Sequence, residues 1–136
     1  MATFTASAAQ STSTAPVKSL RVGLVTVSAV WSFPASISIG STIQMIKVPA
    51  GATPYFVSVG NTNAGQATLS VGDGLNNARF KADGTFSSGQ GMAILNPAAE
   101  TYTYSTDDTI DVFVSLVSIT TAGGALYLRA IYSMDG

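Results

Sequence analysis

Residues 109–116 carry an apolar side chain at every second position, and this alternation restricts the fold more than any other feature of the sequence. The apolar positions are Ile110, Val112, Val114 and Leu116, and the positions between them are Thr109, Asp111, Phe113 and Ser115. Successive side chains of a β-strand point to opposite faces of a sheet, whereas an α-helix repeats every 3.6 residues or so. The segment is therefore predicted to be an antiparallel strand with one face buried.

Runs rich in Val, Ile, Thr, Tyr and Phe fill the chain from Leu20 onward, and Gly, Pro, Asn and Asp separate them. No segment combines a helical period with caps at both ends. Eight or nine short strands in 136 residues predict an all-β domain over residues 20–136, an antiparallel β-sandwich of the jelly-roll kind. The predicted strands are Leu20–Phe33, Ser36–Val48, Pro54–Val59, Ala67–Val71, Ala78–Ala82, Gly91–Leu95, Tyr102–Ser105, Thr109–Ile119 and Ala125–Ser133.

Residues 1–19 consist mainly of Ala, Ser and Thr, with Phe4 as the single aromatic residue. Such a segment alone buries too little apolar surface to offset the entropy of ordering it. Two interpretations stay open: an unstructured terminus, or an extended N-terminal arm that orders on a neighbouring subunit with Phe4 as its anchor. The start resembles no signal peptide, and no window approaches the roughly 20 apolar residues of a membrane span. We therefore expect synthesis in a cytoplasm and no membrane partner.

The composition excludes several kinds of chemistry. The chain has no cysteine and no histidine, which removes disulfides, thiolate metal sites and the commonest general base. Its six basic residues are scattered, so no basic patch predicts nucleic-acid binding. Arg79 and Lys81 stand close together, at a spacing typical of a solvated strand face. Charged residues make up 10%, against roughly 25% in ordinary soluble domains, which favours a surface that meets other protein.

One phrase occurs twice, as Ser58-Val59-Gly60-Asn61 and as Ser70-Val71-Gly72-Asp73. The stretch Gly72–Asn77 lacks the Lys–Ser/Thr pair of a phosphate loop and the closing glutamate of a calcium loop. Gly, Asn and Asp tolerate left-handed backbone angles, so both phrases are interpreted as strand ends that need the same kind of turn. A weak calcium site at residues 72–77 is left as an open alternative.

The acidic residues Asp107, Asp108 and Asp111 form one cluster. Catalytic carboxylates would need a cleft and shifted pKa values, whereas a turn followed by a solvated strand face needs neither. We interpret the cluster as turn and strand face. The sequence therefore predicts no enzyme, no catalytic residue, no cofactor and no metal ligand.

Aromatic residues are the candidates for contacts with other proteins. Trp31 and Phe33 share one side of a strand, where filling of the core is the alternative role. Phe113 lies on the polar face of its strand, where an aromatic side chain often contacts a partner or a second sheet. Tyr127 beside Arg129 has the composition of an interface anchor. The predicted interface residues are Phe4, Trp31, Phe33, Phe113, Tyr127 and Arg129.

Several stretches resemble small virion proteins of tailed bacteriophages. They are IKVPAGA at 46–52, ATLSVGDG at 67–74 with NARF at 77–80, YTYSTDDTIDV at 102–112 and LYLRAIY at 126–132. On these strand-and-turn phrases, the chain resembles a capsid decoration (cement) protein of the jelly-roll type from about Ile43 to Ser133.

The resemblance implies a β-sandwich on the exterior of the capsid of a virion that is assembled in the host cytoplasm. There it would clamp neighbouring major capsid protein subunits as a homo-oligomer, a dimer or a trimer, at symmetry axes. Decoration proteins carry no catalytic residues and no cofactor to transfer to this chain. The Ala/Ser/Thr-rich start suits an arm that lies over the capsid or a sister subunit.

Two rival functions remain. A carbohydrate-binding β-sandwich module would use Trp31 or the tyrosines as a stacking platform, often together with calcium. A phage fibre or tail component is closer in kind and differs in its place on the particle. A hydrolase is the weakest interpretation, since the chain lacks histidine and cysteine and has few acidic residues.

Overall fold

The structure is a computed structural model that describes residues 3–6, 23–33, 36–63, 67–86, 90–94, 102–117, 119 and 123–134. None of these segments is helical, so none offers a helix long and apolar enough to cross a membrane. The strands are β1 (Thr3–Thr5), β2 (Gly23–Ser32), β3 (Thr42–Val48), β4 (Ala52–Asn61), β5 (Ala67–Asp73), β6 (Lys81–Phe86), β7 (Gln90–Ile94), β8 (Asp108–Val117) and β9 (Ala125–Met134).

Strands β2 to β9 form four antiparallel pairs that nest inside one another along the chain. β2 pairs with β9, β3 with β8, β4 with β7 and β5 with β6. The chain thus folds as one long hairpin that rolls up, so that β9 also pairs with β4 and β8 with β5. The two sheets have the strand orders β1-β3-β8-β5-β6 and β2-β9-β4-β7. This nested pairing is a jelly roll, and the predicted fold class is confirmed.

The inner faces of the two sheets meet in an apolar core, because apolar residues recur at every second position. In β9 the buried side chains of Leu126, Leu128, Ala130 and Tyr132 alternate with exposed or half-buried ones. Ile110, Val112 and Val114 of β8 are fully buried on the facing sheet. Burial of each large aliphatic side chain stabilises the fold by about 1.5–3 kcal/mol. Leu116 is 61% exposed, so the alternation predicted for this strand holds only as far as Val114.

β1 adds part of the N-terminal segment to the five-stranded sheet. It runs parallel to β3 with Phe4 opposite Ile43, and the Ala6 amide donates to the Gln44 carbonyl at 2.7 Å. This part of the predicted arm lies on the sandwich of its own chain. Residues 7–22 lie outside the described residues, so the division into an arm over 1–19 and a domain over 20–136 stays a prediction.

The strands predicted from Ser36 and from Tyr102 differ from the structure. The strand predicted from Ser36 begins only at Thr42, since Gly40 adopts a φ of 88° that interrupts the extended chain. Tyr102–Ser105 is not a strand. The Tyr104 amide donates to the Ala52 carbonyl at 3.0 Å and the Tyr104 carbonyl accepts from the Gly51 amide at 2.7 Å. This local pairing does not continue into a ladder.

Candidate functional site: the outer faces of the two sheets

The outer face of the five-stranded sheet, which we call face A, is polar and largely covered. Asp111 is 3% exposed there, although it lies on the side of β8 opposite the apolar stripe. The predicted solvated strand face is therefore wrong for Asp111. Burial raises the pKa of Asp111 to about 7, even though the Thr109 hydroxyl hydrogen-bonds to the carboxylate. Face A is defined by two rows of cross-strand neighbours, Gln44–Asp111–Gly72 and Thr42–Phe113–Ser70.

Residues 73–77, which we call the covering turn, fold back over face A. A Cβ on Gly72 would lie 2.1 Å from the Asn76 carbonyl oxygen, so the turn backbone passes directly over this glycine. Asp73 Oδ1 accepts hydrogen bonds from the amides of Leu75 (3.0 Å) and Asn76 (2.9 Å). The predicted turn at Gly72–Asn77 is confirmed, but the left-handed backbone angles expected for it are wrong, since none of these residues has a positive φ. Since the Asn76 carbonyl also accepts from the Arg79 amide, the strand predicted from Ala78 begins later, at Lys81.

The covering turn is fixed by an ion pair. Arg79 Nε donates to Asp73 Oδ2, and the Tyr104 hydroxyl donates to the same oxygen at 3.0 Å. The Arg79 guanidinium also lies 3.6 Å from the centroid of the Tyr102 ring. Burial lowers the pKa of Arg79, but the hydrogen bond and charge of Asp73 outweigh it and raise that pKa. Burial and the Asp73 charge also raise the pKa of Tyr104. The predicted solvated role of Arg79 is therefore wrong.

The other two acidic residues of the predicted cluster hold backbone in place. Asp107 Oδ1 accepts from the Ala50 amide at 2.9 Å. Asp108 Oδ1 accepts from the amides of Thr109 (2.7 Å) and Gly74 (3.2 Å). The predicted local turn role holds only for the bond between Asp108 and Thr109, because the Ala50 and Gly74 amides belong to segments that are distant in the sequence. Within the described ranges, no three acidic side chains converge in a way that could hold a metal ion.

The outer face of the four-stranded sheet, which we call face B, is open and carries exposed apolar side chains among small polar ones. Leu24 is 68% exposed, Val30 53% and Tyr127 47%. Arg129 is also exposed and is the charged side chain of this face among the described residues. It lies between Ser28 and Ser58, whose small side chains leave the guanidinium accessible. Face B is defined by three rows across β2, β9 and β4, namely Val30–Tyr127–Gly60, Ser28–Arg129–Ser58 and Thr26–Ile131–Phe56.

Three aromatic rings close one edge of the sandwich, where β1 and β2 are the edge strands of the two sheets. The ring centroids of Phe4 and Trp31 lie 5.3 Å apart, and those of Trp31 and Phe33 lie 5.1 Å apart. Phe33 is 3% exposed, while Phe4 and Trp31 are half-buried and pack against the core. Phe4 therefore contacts the Trp31 of its own chain.

The structure thus divides the six predicted interface residues into three groups. Phe4, Trp31 and Phe33 form the aromatic edge, Phe113 lies half-buried on face A, and Tyr127 and Arg129 lie together on face B. Their role in an interface stays a prediction. Sequence reasoning did not single out Leu24 and Val30, although the same period of two in β2 points both to the side opposite Ala29 and Trp31.

Searches with the sequence found no matching protein-family model and no matching curated protein. The fold does match solved structures. A chain in the capsid of Ralstonia phage GP4 has a TM-score of 0.79 and 17% identity, over 98% of this chain and 99% of that chain. The Cyanophage Pam1 capsid asymmetric unit gives a TM-score of 0.72 and 18% identity, over 93% and 95%. This chain therefore shares its jelly-roll fold with chains of these two phage capsids.

A further match extends the same fold similarity. The acid-stable capsid of the Helicobacter pylori bacteriophage KHP30 gives a TM-score of 0.55 at 13% identity, over 83% of this chain and 89% of that chain. At identities of 13–18%, these matches establish the fold and leave function to be argued from the surface.

Proposed function

We propose that this chain is a structural virion protein that binds the exterior of a phage capsid and cements neighbouring major capsid protein subunits. The observation that carries the proposal is the match over the full length of both chains to a component of the Ralstonia phage GP4 capsid. Because coverage is nearly complete on both sides, that component is also a small stand-alone sandwich. The confirmed jelly roll and the surface of face B support the same role.

Face B supplies the adhesive surface in this proposal. Exposed Val30 and Tyr127 are cross-strand neighbours, and exposed Leu24 lies further along β2 opposite Ser133. Burial of their apolar surface against a partner would stabilise the complex by about 25 cal/mol per Å². Arg129 in the centre favours a partner with a carboxylate, since a guanidinium can bind a carboxylate through two parallel hydrogen bonds. Arg and Tyr are also enriched among the residues that dominate binding energy. We infer that face B docks on an apolar, acidic area shared by neighbouring major capsid subunits.

Stabilisation of the shell then follows from the thermodynamic linkage between binding of this protein and assembly of the capsid. A protein that binds only the assembled shell lowers the free energy of that shell and opposes its rupture. A homo-oligomer, a dimer or a trimer, would present several copies of face B at one symmetry axis. Several weak contacts engaged together give an avidity well above that of one contact.

The carbohydrate-binding alternative is disfavoured by the aromatic edge. A stacking platform needs an open ring face, and Trp31 is half-buried and contacts both Phe4 and Phe33. Tyr127 and Tyr55 remain exposed, so a glycan array is the direct check. Binding of a defined sugar that is lost on Tyr127→Ala would favour the sugar-binding role over cement.

Heads with and without the protein test the proposal. Purified heads stripped of this protein should release DNA at a lower temperature, and adding the protein back should restore the original value. A fluorescent DNA-release assay during a thermal ramp measures both. An unchanged release temperature, or protein found only on tails or fibres by gold labelling, would contradict the proposal.

A further inference from the structure

Face A contains a polar pocket of about 420 Å³ between the sheet and the covering turn. Asp111 of β8 and Gln44 and Thr42 of β3 form one side, and Asn76 and Asn77 of the covering turn form the other. Thr3 of β1 completes the wall. Four segments that are distant in the sequence thus bring carboxylate, amide and hydroxyl oxygens to one place.

Asp111 lines this pocket and has one carboxylate oxygen, Oδ1, without a hydrogen-bond partner among the described residues. Its side chain is 3% exposed. A buried carboxylate oxygen without a partner is costly, so such groups are normally paired or bound to a metal. The nearby cation Arg79 is already paired with Asp73. The Coulomb effect of Asp73 and Asp108 on Asp111 is repulsive.

We propose that this pocket binds a divalent cation of the calcium type, with Asp111 as its anionic ligand. Calcium takes six to eight oxygen ligands, including neutral carbonyl and amide oxygens and water, in a flexible geometry. Gln44 Oε1 already accepts from the Thr5 hydroxyl at 3.4 Å and Asn76 Oδ1 from the Ala78 amide at 3.1 Å, so each would bind the ion through its second lone pair. The pocket has room for the ion's remaining waters. Magnesium demands a tighter octahedral shell. Zinc prefers histidine and cysteine, which the chain lacks.

Of the two carboxylates that line the pocket, Asp73 is paired with Arg79, which leaves Asp111 as the anionic ligand. This small ligand charge sets the expected range of affinity. Calcium sites with few charged ligands bind at about 10⁻⁴–10⁻³ M, the range of extracellular modules. Because the covering turn and β1 contribute to the pocket, the bound ion would join them to β3 and β8. The calcium site lies on face A, whereas the proposed capsid contact lies on face B. An experiment can therefore disprove calcium binding without disproving capsid binding, and the reverse.

Calcium titration of the full chain tests the site. At 10 mM calcium chloride the wild-type melting temperature should rise by about 5 °C, relative to sodium chloride of equal ionic strength. Asp111→Asn should lose this response. Asp83→Asn is the matched control, because Asp83 is exposed, has a φ of 46° that asparagine tolerates, and lies outside the pocket. It should respond like the wild type.

A second variant keeps the test decisive if Asp111→Asn does not fold. Gln44→Met conserves length and removes the amide oxygen, and it should weaken calcium binding several-fold. No calcium-dependent shift in the wild type would overturn the site. Equal calcium-dependent rises in melting temperature for Asp111→Asn and Asp83→Asn would also overturn it. If Asp111→Asn does not fold, an unchanged calcium affinity of Gln44→Met would overturn it instead.

Discussion

Face A and face B contain the same short sequence, Ser-Val-Gly followed by Asn or Asp, but the surroundings of its glycine differ between the two faces. Gly60 lies on face B and Gly72 on face A, each within the phrase Ser-Val-Gly followed by Asn or Asp. The following residues, Asn61 and Asp73, both accept hydrogen bonds from backbone amides of the next turn. Beyond Asp73 the chain folds back over face A, whereas the space above Gly60 is open. The same phrase at a strand end therefore precedes a turn that covers face A and a turn that leaves face B exposed.

The largest expected difference between the faces comes from adding one methyl group to each glycine. Gly72→Ala should destabilise the protein by about 3 kcal/mol or more, because the new Cβ would overlap the backbone of Asn76 and Asn77. Gly60→Ala should change the stability by less than about 1 kcal/mol, since its Cβ would meet only the Tyr127 Cβ at 3.9 Å. Urea denaturation of both variants measures the difference. Equal stabilities would show that the turn does not cover face A.

A second prediction compares two buried tyrosines. Tyr104→Phe should cost about 1.5–3 kcal/mol, because its hydroxyl donates to the Asp73 carboxylate that fixes the covering turn. Tyr132→Phe, on the sheet that carries face B, should be near neutral, since its buried hydroxyl has no partner among the described residues. Thermal or urea unfolding measures both changes. A larger loss for Tyr132→Phe would contradict the account of the covering turn.

A third prediction concerns pH, which should act on face A through Asp111. Its pKa is about 7 in the folded protein and 3.8 in its ordinary state. Between these values the folded state binds more protons than the unfolded state, so stability should fall as pH rises from about 4 to 7. The slope is at most about 1.4 kcal/mol per pH unit.

The check on this prediction is the difference between the wild type and Asp111→Asn, measured with a chelator present. That difference isolates Asp111 from Asp73 and Asp108, which lie near it. A wild-type slope that Asp111→Asn leaves unchanged would assign the pH dependence to other groups.

The smallest effect on stability is expected from two exposed leucines. Leu24 on face B is 68% exposed and Leu75 on the covering turn is 77% exposed, so Leu24→Ser and Leu75→Ser should each change stability by about 0.5 kcal/mol or less. Binding of labelled protein to stripped heads should separate them. Leu24→Ser should bind several-fold more weakly, whereas Leu75→Ser should bind like the wild type. Weaker binding by Leu75→Ser than by Leu24→Ser would indicate that the protein binds the capsid through face A.

The sequence predicted the sandwich because alternation and turn residues are local properties that one strand or turn displays by itself. It also predicted the turn at Gly72–Asn77 from residue types alone. It could not predict that this turn buries Asp111 or pairs Asp73 with Arg79, because those contacts depend on how β3, β5 and β8 come together. Tyr127 and Arg129 were recognisable on one strand, whereas Val30 became the neighbour of Tyr127 only through the pairing of β2 with β9, and Leu24 lies opposite Ser133 near the other end of that pair.

A reconstruction of the intact virion by electron cryo-microscopy tests the central claim most directly. The account predicts copies of this jelly roll on the capsid exterior, with Leu24, Tyr127 and Arg129 in contact with major capsid subunits. Copies that turn face B to the solvent, or heads that carry no such density, would contradict it.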